Sequence, residues 1–304
     1  MIWLWTSIAS ALLLGVYDIV KKGALKGNGV LEILCVSTGI SALFFVPLIL
    51  SSIFGWGLAD GTILEMPAGN WQGHVVIMVK SLLVAASWIT GYLALKFLPL
   101  TTVSIIKASR PVFVLLGCML FFGERLNAVQ WVGMLLAFLA LYLLGRTSRK
   151  DEGIDLKTNK WAFLMAASVL FGVISALFDK AIMIRQEPVF VQAWCDLYVT
   201  VIMALSLLLF GAWQRRRGES RTPFRWDWNI LLISVFITFA DFFYFYSLSC
   251  EGSMLSVVSM LRRSSVVITF LGGAVIFKEQ NLQRKGLDMI LLLCGMAILL
   301  FGSY

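Results

Sequence analysis

The sequence has little of what most enzymes use for chemistry. It holds one histidine, His74, and five cysteines, Cys35, Cys118, Cys195, Cys250 and Cys294, scattered through apolar stretches without C-x-x-C spacing. A structural zinc site needs clustered thiolate or imidazole ligands, and a disulfide scaffold needs a short, cysteine-dense chain, so neither is expected. No G-x-x-x-x-G-K occurs, so nothing points to ATP hydrolysis by this chain, and no cofactor is expected. With no arranged nucleophile, base or metal ligand set, an enzyme is not expected either. Charged residues make up only 14% of the chain. The apolar runs are too long for barrel strands and lack two-residue alternation, which excludes a transmembrane barrel.

What fills the chain is apolar. Of its 304 residues 60% are hydrophobic, and the mean hydropathy is +0.88. Soluble domains of this size do not have that composition, so the chain reads as an all-α polytopic membrane protein. Ten apolar segments are expected to span the bilayer: 2–20, 30–54, 73–97, 100–122, 128–144, 161–184, 189–213, 229–249, 253–277 and 283–301. The first lacks a basic n-region and a small-residue cleavage site, so it reads as a membrane helix and not as a removed signal. The net charge of +8 gathers in short loops, where it sets topology and does not signal nucleic acid. Loops after odd-numbered segments carry nearly all the loop Lys and Arg, from Lys21, Lys22 and Lys26 to Lys278, Arg284 and Lys285. The other loops carry Arg125 and Arg185. The bias puts the odd loops in the cytoplasm and both termini on the other side.

Segments 100–122 and 253–277 carry cations near mid-span, Lys107 and Arg110 in the first, Arg262 and Arg263 in the second. A cation at that depth costs roughly 3 kcal/mol or more and normally faces a protein interior or a watery cavity. The two segments align without gaps at an offset of 155, pairing Lys107 with Arg262, Ser104 with Ser259, Ser109 with Ser264, Gly117 with Gly272 and Glu124 with Glu279. Segments one and six also resemble each other, L-L-L-G-V-Y-D against V-L-F-G-V-I-S. The chain therefore divides into a five-helix repeat over 1–147, a polar linker over 148–160 and a second repeat over 161–304. An odd number of spans per half predicts inverted repeats around a central cavity.

Helical spacing puts Thr101, Ser104 and Lys107 on one face, and Ser256, Ser259 and Arg263 on another. Four cations with hydroxyl donors suit an anion rich in acceptor oxygens. Asp179, Asp196, Asp241 and Asp288 also lie in spans. Structural pairing of the cations with these acids is the competing reading. Asp241, Asp196 and Lys80 are candidates for coupling or charge pairing. Asp18 and Asp179, nearer the helix ends, are expected to snorkel or pair with loops. Pro111 is expected to bend its helix, and Glu124 and Glu279 to cap helix ends.

Ten spans in two halves, with a glycine and then Glu124 or Glu279 past the fourth and ninth helices, resemble the drug/metabolite transporter superfamily and its EamA-type bacterial members. The resemblance implies a basket of helices lined by the fourth and ninth, with alternating access. Lys107 and Arg262-Arg263 are similar to the substrate-gripping cations of the phosphate-translocator branch. Trp88, Tyr244 and Tyr246 are candidates for that branch's other binding residues. The expected function is secondary transport or exchange of a small organic anion, phosphorylated cargo included. The alternatives are an exporter of amino acids or other zwitterions, and a carrier of a lipid-linked anionic head group. The expected setting is the bilayer of a bacterial inner membrane, and a homodimer is compatible with it.

Overall fold

The computed structural model describes residues 2–59, 61–67, 69–122, 127–152, 158–183, 186–216, 224–250, 258, 261–278 and 282–301, and among these every regular element is helical. The first half holds α1 (Ile2–Ala24), α2 (Val30–Phe54), α3 (Trp71–Phe97), α4 (Leu100–Ala108), α5 (Arg110–Phe122) and α6 (Ala128–Glu152). The second holds α7 (Lys160–Ile182), α8 (Pro188–Arg216), α9 (Trp228–Ser249), α10 (Ser265–Val275) and α11 (Leu282–Phe301). Seven described segments are long and apolar enough to cross a membrane. Side chains place several helix starts: Asn70 accepts from the Gly73 N–H, Asn159 from Trp161 and Ala162, and Asp227 from Asn229. Each satisfies amides that the first helical turn leaves without carbonyl partners.

Two expectations change. Helix α6 runs to Glu152, so the first residues of the expected linker are helical. The fourth segment is two helices, because Ser109 interrupts it between α4 and α5. The Ser109 N–H donates to the Ile106 carbonyl, Val112 N–H donates to the Ser109 carbonyl, and the Ser109 hydroxyl donates back to Ile106. Ser264 does the same one repeat later, with its N–H and hydroxyl on Leu261 and the Val267 N–H on its carbonyl. Pro111 accompanies the first break, but Val266 stands in its place at the second. Both breaks carry a serine whose hydroxyl donates to the carbonyl three residues back, a contact that competes with the helix's own backbone bonds.

The halves interleave. Helix α1 packs on α9, and α3 packs on α7; α2 packs on α8, α4 on α10, and α6 on α11. Helix α1 also meets α10, and α5 meets α7. Exchanging the first five segments for the last five maps these pairings onto one another, as a twofold relation would. Details follow the same rule. A Cβ at Gly117 would meet Leu177 of α7, and one at the matched Gly272 would meet Ile19 of α1. Small residues let these helices approach closely, and serines join them. The Ser10 hydroxyl donates to the Ala240 carbonyl at 2.6 Å. Ser87 and Ser168 donate to each other's carbonyls at 2.8 and 2.6 Å.

The loops gather at two ends. At one, Lys96 donates to the Asn28 carbonyl, and the Asn28 side chain accepts from the Arg225 N–H while donating to the Arg225 carbonyl. Three odd-numbered, basic loops meet there. At the other, Glu65, Glu187, Gln192 and Tyr246 surround an outer pocket. Arg125 and Arg185 lie outside the described residues. Cysteine labelling in intact cells tests the topology. Cysteines placed at Lys26 and Arg225 of a cysteine-free variant are expected to be shielded from an impermeant maleimide, and one placed at Glu65 is expected to react. The reverse pattern would overturn the assignment of the basic end to the cytoplasm.

Candidate functional site

A cavity of about 180 Å³ lies between the halves. It is lined from α1, α3, α4, α5, α7 and α9 and by Arg262 and Arg263 just before α10. Six cations reach it, Lys21, Lys80, Lys107, Arg110, Arg262 and Arg263, against three carboxylates, Asp18, Asp179 and Asp241.

The acids do not neutralise the cations one by one. Asp18 Oδ1 accepts from Lys21 Nζ at 2.5 Å and from Lys107 Nζ at 2.7 Å. Lys80 Nζ sits 3.0 Å from Asp179 Oδ1, close enough for an ion pair but not aligned as a hydrogen bond. Arg262 pairs with Asp241, and its guanidinium carbon lies 4.2 Å from the Tyr244 ring centre. The remaining two cations differ. Arg110 donates to the Gly172 carbonyl, its guanidinium occupying the space a Cβ on Gly172 would need. Arg263 has no hydrogen-bond or ion-pair partner among the described residues.

Aromatic rings close the two ends of the cavity. Toward the basic end, the Tyr17 and Tyr92 hydroxyls are hydrogen-bonded at 2.9 Å, and Lys21 Nζ lies 4.2 and 4.9 Å from their ring centres. Toward the other end, Lys80 Nζ lies 4.7 Å from the Phe245 ring. Phe245 lines both this cavity and the outer pocket, so it is a partition between them. Cations over ring faces gain about 0.5–2 kcal/mol, more where water is excluded.

The sequence-derived candidates divide accordingly. Lys107, Arg110, Arg262, Arg263, Trp88, Tyr244, Lys80 and Asp241 line the cavity. Ser104 is fully buried with its hydroxyl on the Thr101 carbonyl, and neither residue lines the cavity. Lys285 donates to the Thr101 hydroxyl, so that face of α4 is turned toward α11. Tyr246 lies on the outer pocket, stacked on Phe242. Asp196 lines neither cavity and makes no ion pair among the described residues. Ser256, Ser259, Glu124 and Glu279 lie outside the described residues. Asp18 and Asp179 do not snorkel. Both are buried and face the cavity, because the cations that hold them come from other helices and from the next turn of α1. Tyr17 and Tyr92 join the site without having been singled out, and Lys21, expected in the loop after the first segment, is instead buried within α1 and lines the cavity. The Asp18-x-x-Lys21 spacing was the available signal, since residues three apart share a helix face.

The Lys80–Asp179 pair tests how these charges are held, because its side chains are 3% and 8% exposed. Lys80→Met alone is expected to destabilise the protein by about 3–5 kcal/mol, since it leaves Asp179 buried and unpaired. Lys80→Met with Asp179→Leu is expected to recover most of the loss. Melting temperatures of the single and double variants in one detergent check this, and a double variant as unstable as the sum of its parts would refute the pairing.

A solved crystal structure matches over 98% of both chains with a TM-score of 0.66 at 16% sequence identity, a likeness of fold alone. No curated protein sequence matches the chain. Residues 1–146 match the model of the EamA-like transporter family. That stretch is just under half of the chain, and what it is similar to is a family of membrane transporters within the drug/metabolite transporter superfamily.

Proposed function

We propose that this transporter moves a small organic anion by alternating access, with two five-helix inverted repeats rocking about the central cavity. The observation that carries the reading is the imbalance of charge. Six cations face three carboxylates, and Arg110 and Arg263 are left without an acidic partner among the described residues. An arginine fork without a carboxylate, in a site partly shut off from water, is matched by a carboxylate or phosphate of the cargo. The size of the site supports a small cargo. The cavity volume is about 180 Å³.

The cations belong to both halves. Lys107 and Arg110 come from the first, Arg262 and Arg263 from the second, and a bound anion draws them together. Binding energy spent on closing the halves over the cargo is how a bound ligand shifts a two-state equilibrium. With the basic loops in the cytoplasm, the Asn28 end of the bundle faces inward and the Glu65 end outward across a bacterial inner membrane. Transport is by exchange or by coupling to an ion gradient.

Binding by the purified protein tests the reading. Inorganic phosphate, phosphorylated sugars and small carboxylates are expected to raise the melting temperature by mass action, and amino acids are expected to do so less. Arg110→Gln and Arg263→Gln are each expected to weaken that binding at least about tenfold, the loss of one charge-assisted contact. Uptake into proteoliposomes should fall in parallel. Full binding by both variants would sink the anion site. Stabilisation by amino acids alone would move the cargo to zwitterions.

A further inference from the structure

Asp18 has a position that the anion reading leaves unexplained. An acid inside an anion-selective cavity works against binding, yet this one sits among the cations. Its Oδ1 is shared by two ammonium groups, Lys21 at 2.5 Å and Lys107 at 2.7 Å. That is the arrangement a bound oxyanion would take. We propose that Asp18 is a built-in stand-in for the anionic group of the cargo. It holds Lys107 in the empty transporter, and the cargo displaces it from Lys107 on binding. The inference rests on the reading that the cavity takes an anion.

The two lysines are unequal partners. Lys21 lies one turn along the same helix, is 5% exposed, and is held under the Tyr17 and Tyr92 rings. It stays with Asp18 however the other helices move. Lys107 comes from another helix, is 21% exposed, and stands two residues before the break at Ser109. It is the partner that can leave. When it does, Asp18 keeps Lys21, and no buried charge is orphaned. Removing a partner from a buried ion pair is ordinarily costly. A carboxylate with two cations gives up one at far smaller cost, so the exchange of Asp18 for a cargo oxyanion is close to balanced. The same balance favours release, because Asp18 returns to Lys107 as the cargo departs. The group recognised is an oxyanion, carboxylate or phosphate.

The test uses the full chain in detergent, with acetate and inorganic phosphate as probes. Calorimetric titration compares wild type, Asp18→Asn, and Asp18→Asn with Lys107→Gln. Asp18→Asn is expected to bind at least one probe about tenfold tighter than wild type, as expected when a competing charge is removed. Acetate or phosphate taking the gain identifies which oxyanion fits. In the double variant the gain is expected to vanish, a result that a merely structural Asp18 would not produce. Equal or weaker binding by Asp18→Asn, with wild type still binding, overturns the role of Asp18 and leaves the anion reading intact. Binding by none of the three overturns both. A second arm guards against misfolding. Asp18→Ala leaves space for a free carboxylate, and formate is expected to raise its melting temperature while leaving wild type unchanged. No rescue in that arm also counts against the proposal.

Discussion

A lysine or arginine placed in hydrocarbon costs several kcal/mol unless oxygen or water replaces what it has lost, and the interior of this bundle holds six around one cavity. The architecture around them follows from that constraint. Cations enter from both halves, and among the described residues all but Arg263 meet a carboxylate, a ring face or a backbone carbonyl. The residues that supply these partners sit on helices that must approach closely, so glycine and serine occupy the crossings. Gly172 is where the need is plainest. The Arg110 guanidinium lies where a side chain would be, and its hydrogen bond goes to the carbonyl of that same residue.

The scaffold is closer to symmetric than the charges it carries. Ser109 and Ser264 interrupt their helices with the same three contacts, and Gly117 and Gly272 receive matched neighbours. Lys107 and Arg262 occupy matched positions but answer to different acids, Asp18 on α1 and Asp241 on α9. Two similar frames thus hold dissimilar charges, so the site is not equivalent when viewed from its two ends.

Much of this was legible in the residues. The long apolar runs gave the helices, and the costly mid-span cations marked the cavity. The offset of 155 aligned Ser109 with Ser264 before their shared contacts were visible. What was not legible depended on helix phase and on contacts between distant segments. The break at Ser109 and the packing of α11 turn Ser104 away from the cavity, and uninterrupted helical spacing does not report either. Asp18 and Asp179 looked like helix-end residues because depth was judged from sequence position. Their partners, Lys107 and Lys80, lie tens of residues away or in the other half. The Tyr17–Tyr92 hydrogen bond likewise joins helices whose adjacency no local pattern encodes.

Asn28 has a mechanical consequence. Its side-chain amide both gives to and takes from the backbone of Arg225, and its own carbonyl is held by Lys96. One residue thus buckles the loop after α1 and the end of α3 to the loop before α9, across the seam between the halves. The opposite end has the outer pocket in the corresponding place. Parting the halves at the buckled end means undoing the two Asn28–Arg225 hydrogen bonds, whereas the Lys96 bond lies within the first half. Asn28 is therefore a clasp between the halves at the basic end of the bundle.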